Sequence, residues 1–231
     1  MSGILIGVGV GPGDPGLVTL KAARLIGAAE RLAYPALPGV PSLARGIIAG
    51  LIRPGTPEIV IEVPMSPDRA PAQAAYDQGA ERLAVELTAG RSVVCLCEGD
   101  PLFYGSFLYL ASRLRDRFRV ETVPGVTSMT ACAAAAGRAL AARDEVLTVI
   151  PATLPDPAIR RAFAAADRAV VMKVGRHLPR LRALFGGGGL RASYVARAGL
   201  PGEAVASLDE APETAPYFST LLVDRGGDPW T

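Results

Sequence analysis

Histidine is almost missing from this chain, and that scarcity removes whole classes of chemistry. His177 is the one imidazole in 231 residues, so no mechanism or metal cage that needs two of them can operate. Cysteine is also sparse. Cys95, Cys97 and Cys132 form no Cys-x-x-Cys pair, and the first two fall on one face of an expected strand, where they read as core packing; no metal is expected. Lys21 and Lys173 are the two lysines among 24 basic residues, and the net charge is only +2. Without a lysine-rich patch, nucleic acid is not an expected partner. No stretch offers the ~20 unbroken apolar residues that span a bilayer. The apolar run from Ile4 is interrupted by Gly7, Gly9, Gly11 and Gly13, and the first basic residue is Lys21, so it does not read as a leader. The expectation is a cytoplasmic protein that does not enter a membrane.

With 50% hydrophobic and 20% charged residues, the composition is that of a globular protein, and the length suits two domains. The basic residues are otherwise arginine. Coding bias explains that excess simply, while guanidinium groups also suit bidentate recognition of carboxylates, which keeps a polyanionic organic substrate open.

The chain is organised around Cys97-Glu98-Gly99-Asp100-Pro101-Leu102-Phe103-Tyr104-Gly105-Ser106. It follows the apolar run Val93–Cys97 and precedes a helical pattern, so it reads as a strand-to-helix loop at a sheet edge, where ligands of open α/β sheets bind. Upstream, Ile4-Leu5-Ile6-Gly7-Val8 reads as a buried strand running into a glycine-rich loop, and Val18, Ala22, Leu25, Ile26 and Ala29 give one helical face. The nucleotide motifs fail on spacing. In Gly-x-Gly-x-x-Gly counted from Gly7 the last position is Pro12, and the phosphate-loop lysine has no counterpart. Further strands are expected at 31–34, 59–63 and 92–97. Helices are expected at 42–51, with Ser42 as N-cap, on the face Tyr76, Ala80, Leu83, Ala84 and Leu87, and on the face Phe107, Leu110, Ala111 and Leu114. Strands alternating with helices predict a largely parallel sheet covered on both sides.

The expected domains are residues 1–119 and 120–231. The second would hold the strand 120–123, a small-residue helix opened by Val126–Cys132, apolar runs at 146–150, 169–174, 192–196 and 218–223, and helices at 156–166 and 178–185. Residues 201–216 carry no helical pattern, and hairpin-like returns give a sheet of mixed direction.

Four segments together resemble the tetrapyrrole methylases, the S-adenosylmethionine-dependent enzymes of corrin and sirohaem synthesis. They are Ile6–Pro15, Gly99–Phe107, Pro124–Ala131 and Leu147–Ala152, and the resemblance extends over essentially the whole chain. Tyr34-Pro35, Leu102–Phe107, Thr127–Ala131 and Leu147–Ala152 are similar to the branch that methylates the C20 meso carbon of precorrin-2. The resemblance implies two αβα domains, the N-terminal with a mostly parallel sheet and the C-terminal with a mixed one, a cleft between them for S-adenosylmethionine, and a homodimer. It places the donor (product S-adenosylhomocysteine) against Val10, Gly99, Asp100, Phe103, Thr127, Ser128, Met172 and Ala198. Candidate groups for moving the displaced proton are Glu98, Asp100 and Tyr104. Candidates for the substrate are Asp14, Tyr34, Arg45, Arg69, Arg138, Arg143 and Arg197. Cobalt-precorrin-2, another tetrapyrrole, or a protein or RNA acceptor on the same fold remain alternatives. An oxidoreductase or a non-catalytic ligand binder is the reading from another class. Against a dinucleotide enzyme, the glycine spacing fails and no acidic residue follows a second strand at the ~20-residue distance, Glu30 lying on the first helix instead.

Overall fold

Each early strand is followed by an apolar-faced helix, and a chain that returns through a helix lays its next strand parallel to the last. The computed structural model describes residues 2–66, 68–187 and 189–226, and it resolves into two compact units, Met1–Thr127 and Ser128–Thr231.

The first unit contains β1 (Leu5–Gly9), α1 (Leu20–Gly27), β2 (Arg31–Ala36), α2 (Leu43–Ile47), β3 (Glu58–Glu62), α3 (Ala70–Thr88), β4 (Val93–Cys97), α4 (Phe107–Leu114) and β5 (Val120–Val123). All five strands are parallel, in the order β3-β2-β4-β1-β5. Strand alternation divides the core between two faces. Leu5, Cys95 and Cys97 pack with Leu83 and Leu87 of α3 and Phe107 and Leu110 of α4. Val8, Val94 and Leu96 pack with Ala22 and Ile26 of α1 and Ala44 and Ile47 of α2. Burying each Leu, Ile or Phe contributes about 1.5–3 kcal/mol, so both faces are held by their helices.

Two details depart from the expectations. Strand β2 continues through Pro35, because β4 pairs with it only at Arg31–Ala33. Beyond that point one neighbour remains, and a missing N–H is tolerated. The helix expected at 42–51 is instead α2 followed by a 3₁₀ turn at Ala49–Leu51; Ser42 does cap it, accepting from the Arg45 amide at 3.4 Å.

The second unit contains α5 (Ser128–Ala135), β6 (Leu147–Pro151), α6 (Asp156–Ala164), β7 (Arg168–Met172), α7 (Leu178–Phe185), β8 (Arg191–Ala196), β9 (Ala204–Ser207) and β10 (Ser219–Asp224). Its sheet runs β6-β7-β10-β8-β9. The β6–β7 pair is parallel and the others are antiparallel. One face packs on α6 and α7 through Ile159, Phe163, Leu178, Leu181 and Phe185. The other packs on α5 through Cys132 and Ala133.

The boundary expected between residues 119 and 120 falls too early in the chain. Residues Val120–Val123 pair with β1 of the first sheet, so the strand belongs with the parallel sheet that it completes. Strand β9 lies inside the stretch read as a connection: Ala204–Ser207 is short and mostly exposed, without the alternation that marks a strand. Among the described residues no helix is long and apolar enough to cross a membrane.

The buried polar and charged residues described in this unit are Arg168, Ser219, Thr220 and Asp224, and Asp224 is the acid among them. In the sheet register it sits opposite Arg168 of β7 on one side and Arg191 of β8 on the other. Its carboxylate accepts from Arg168 at 3.4 Å, from Arg191 at 3.3 Å, and from Arg138, which follows α5. Glu145 holds the other side of Arg168 at 2.6 and 2.8 Å.

Candidate functional site

In the first unit the site is built at the carboxyl ends of β1, β4 and β5. The connection leaving β1 goes to α1 on one face of the sheet, and the connection leaving the adjacent β4 goes to α4 on the other. Where neighbouring strands send their connections to opposite faces, a crevice opens at the carboxyl edge. The three loops are tied by backbone. Val10 N–H donates to the Cys97 carbonyl at 3.0 Å, and Gly99 N–H to that of Gly11 at 2.8 Å. A Cβ at Gly125 would lie 2.1 Å from the Gly99 oxygen and 2.8 Å from Gly9 Cα, and one at Gly9 would lie 2.5 Å from the Gly99 oxygen. These loops therefore touch main chain to main chain, which only glycine permits.

Asp100 fastens this clasp. One carboxylate oxygen accepts from Leu102 N–H at 2.8 Å and the other from Gly125 N–H at 3.0 Å. Both oxygens are thus engaged by amides, and the group acts as a staple between the β4 and β5 loops. Phe103 is half-buried and meets the exposed Tyr104 edge to face, with ring centroids 5.0 Å apart. Tyr104 takes left-handed backbone, φ 57°, a conformation that costs a side-chain-bearing residue about 1–2 kcal/mol and turns its ring outward.

Glu98, between β4 and the clasp, is half-buried. Its carboxylate accepts from the Ala44 amide in the first turn of α2, and burial pushes its pKa above the ordinary carboxylate range. A raised folded pKa means that ionising Glu98 costs stability as pH rises through that value, while below the unfolded pKa the cost vanishes. Glu98→Gln keeps an oxygen for the Ala44 amide and cannot ionise. Its melting temperature is expected to exceed that of the parent at pH 8 and to match it at pH 4; an equal difference at both values would show that burial of the charge is not the cause.

The second unit brings Met129, Met172 and Ala198 into one cluster with Cys132 and Ala133 of α5. Met172 ends β7 and Ala198 lies just beyond β8. Thr127 and Ser128 are half-buried at the start of α5.

The remaining candidates divide. Val10 is fully buried, so its side chain belongs to the core and only its carbonyl can face a ligand. Asp14 is exposed and caps the 3₁₀ turn at Pro15–Leu17, accepting from Gly16 N–H at 2.7 Å. Tyr34 and Arg45 are committed to a partner that the sequence did not reveal, Glu58. The Tyr34 hydroxyl donates to it at 2.5 Å, and Arg45 grips it through Nε at 3.2 Å and a terminal nitrogen at 3.0 Å. Burial and the adjacent carboxylate push the Tyr34 pKa up to about 12. The Arg45 bond holds Glu58 below the usual range. Arg45 is accordingly not a free cation for a substrate.

Arg138 is a correction as well. It bonds Ser193 Oγ at 2.6 Å, the Leu222 carbonyl at 3.2 Å and the Asp224 carboxylate; burial, with Arg191 and Arg168 nearby, pulls its pKa down to about 10. It is a structural cation. Arg69, Arg143 and Arg197 are exposed, and among the described residues none of the three forms an ion pair. Glu58 sits opposite Leu32 in a parallel register, and a register between strands joined by a long crossover leaves no short-range signal.

Two α/β units, one with a parallel sheet whose carboxyl-edge loops are clasped through glycine, define a class of ligand-binding α/β protein. The sequence model described as Tetrapyrrole (Corrin/Porphyrin) Methylases matches residues 4–212, and the chain belongs to that family. It is 43% identical over 238 residues to a precorrin-2 C(20)-methyltransferase of a Sinorhizobium species, covering 96% of this chain and 97% of that one. It is 36% identical to the cobalt-precorrin-2 C(20)-methyltransferase of Salmonella typhimurium, covering 97% and 98%. Among solved structures it is similar to the uroporphyrin-III C-methyltransferase of Thermus thermophilus complexed with S-adenosylhomocysteine, at a TM-score of 0.70 and 26% identity, covering 96% and 97%.

Proposed function

We propose that this chain is an S-adenosylmethionine-dependent C-methyltransferase acting on the C20 meso carbon of precorrin-2, in the assembly of the corrin ring. The observation that carries this reading is the 43% identity to a precorrin-2 C(20)-methyltransferase over nearly the full length of both chains. The residues fit the donor by their chemistry. Half-buried Phe103 and the Gly99 backbone in the first unit, and Met129, Met172 and Ala198 in the second, offer apolar and carbonyl surface. When bound, S-adenosylmethionine supplies an electrophilic methyl group on a sulfonium. The chain's own task is then to hold donor and acceptor in line, which for well-oriented groups is worth up to about 7–11 kcal/mol. Thr127 and Ser128 belong to the same donor set.

Replacing the C20 hydrogen releases a proton. Asp100 has both oxygens engaged by amides, and Tyr104 is exposed. Glu98 is the group we assign to receive it. The protein is read as a cytoplasmic homodimer with neither nucleic acid nor membrane as partner.

Anaerobic incubation of the purified chain with S-adenosylmethionine and precorrin-2, beside its cobalt complex, tests the reading by mass and absorbance. A gain of one methyl group in either tube is the expected result, and the productive tube identifies the metal state. No gain in either, with S-adenosylhomocysteine still bound by calorimetry, would move the acceptor elsewhere.

A further inference from the structure

At one end of the second sheet, the backbone sets a lysine and an arginine on either side of a segment that carries two exposed aromatic residues. Strands β7, β10 and β8 are neighbours. The carboxyl end of β7 is followed by Lys173, the carboxyl end of β8 by Arg197, and the start of antiparallel β10 is preceded by Tyr217 and Phe218. The register places Ser219 opposite Ala196 and Leu221 opposite Val171, and Arg197 N–H donates to the Phe218 carbonyl at 2.8 Å. The backbone order along the edge is therefore Lys173, then Phe218, then Arg197, with the two cation-bearing Cα positions about 10 Å apart at two strand spacings.

Three features set this edge apart. Tyr217 and Phe218 are 58% and 42% exposed, and their rings meet edge to face with centroids 5.0 Å apart. Lys173 and Arg197 both hold left-handed backbone, at φ 59° and 54°, and both are exposed. Lysine and arginine rarely adopt that conformation, and such strain persists where the surrounding structure holds it in place, often at binding sites. Each cation is also chain-adjacent to a residue read against the donor, Lys173 to Met172 and Arg197 to Ala198. Glu203 accepts from Gly199 N–H at 2.7 Å, and among the described residues it forms no ion pair with Arg197.

We propose that this edge receives the acceptor: the macrocycle lies on Tyr217 and Phe218, and its rim carboxylates are bound by Lys173 and Arg197. The chemistry that matches is a planar, polycarboxylate ring. With the two rings near-perpendicular, one ring's face and the other's edge take its apolar body, and charge-assisted bonds take carboxylates spaced by about the width of the ring. The inference rests on the proposed methylation of a tetrapyrrole, and it adds Lys173, Tyr217 and Phe218 to the acceptor site.

Uroporphyrin III, a stable polycarboxylate macrocycle, serves as the probe, titrated into the full chain and followed by fluorescence quenching. Wild type is expected to bind it. Lys173→Gly with Arg197→Gly, and separately Tyr217→Ala with Phe218→Ala, should each weaken binding by about tenfold or more. Glycine accepts φ near 55° without strain, so the melting temperature of the first pair should not fall, and calorimetric affinity for S-adenosylhomocysteine should be unchanged in both. Absence of wild-type binding, or variants that bind the probe as tightly as the parent, would overturn the proposal. The reaction is read independently. Methyl transfer to precorrin-2 with an unchanged acceptor KM in both variants would sink the edge and leave the activity standing. Probe binding that the variants lose, in a chain that transfers no methyl group, would keep the edge and remove the assigned reaction.

Discussion

Gly125→Ala is expected to destabilise the first unit by roughly 3 kcal/mol or more and to abolish S-adenosylhomocysteine binding. The added Cβ would stand 2.1 Å from the Gly99 carbonyl oxygen and 2.8 Å from Gly9 Cα. Both obstacles are backbone, so no side chain can swing away. The β5 loop must retreat, and in doing so it breaks the 3.0 Å bond from Gly125 N–H to Asp100. Overpacking of this kind costs about 1–3 kcal/mol, and a hydrogen bond to a charged group about 1.5–3 more. Gly46→Ala is the matched control: it lies in α2 with nothing within 4 Å of the new Cβ, and exchanging glycine for alanine inside a helix gains about 0.5–1 kcal/mol. Urea unfolding and calorimetry on both variants would decide. A Gly125→Ala protein as stable as its parent would mean that the clasp is looser than its distances imply.

Asp224→Asn is expected to cost about 3–5 kcal/mol, the usual result of removing one partner from a buried ion pair. The asparagine would keep one acceptor oxygen but no charge, facing Arg138 and Arg168, whose side chains are 11% and 4% exposed. Glu145 still balances Arg168, so the uncompensated charge falls mainly on Arg138. That localisation has its own check. Arg138→Met combined with Asp224→Asn should recover part of the loss in denaturant midpoint, because it removes the stranded cation together with its partner. A double variant no more stable than the single one would place the cost elsewhere.

How much of this was legible beforehand depends on range. The face Tyr76, Ala80, Leu83, Ala84 and Leu87 is a local periodic signal, and all five residues are buried on α3. The apolar run of β4 and the loop after it were equally plain, and so were the two sheets, one parallel and one mixed. What was hidden is pairing between distant residues. Val120–Val123 looks the same whether it closes the first sheet or opens the second, and only its register with β1 decides. Arg45 and Arg138 carry the charge that a polycarboxylate would want, but each already answers a carboxylate, Glu58 or Asp224, that is distant in sequence or sits on another strand. Charge counting cannot separate a spent arginine from an available one.

The position of β1 in its sheet has a consequence for how the chain is made. It lies between β4 and β5, so this strand has no neighbour in its sheet until residues 93–97 and then 120–123 have been translated. At about 5–20 residues per second that is a wait of several seconds. During it an apolar strand with both edges unpaired must stay out of intermolecular sheets. The glycines at 7 and 9, which break its apolar surface, make the nascent segment a poorer template for aggregation than its isoleucines and valines alone would be.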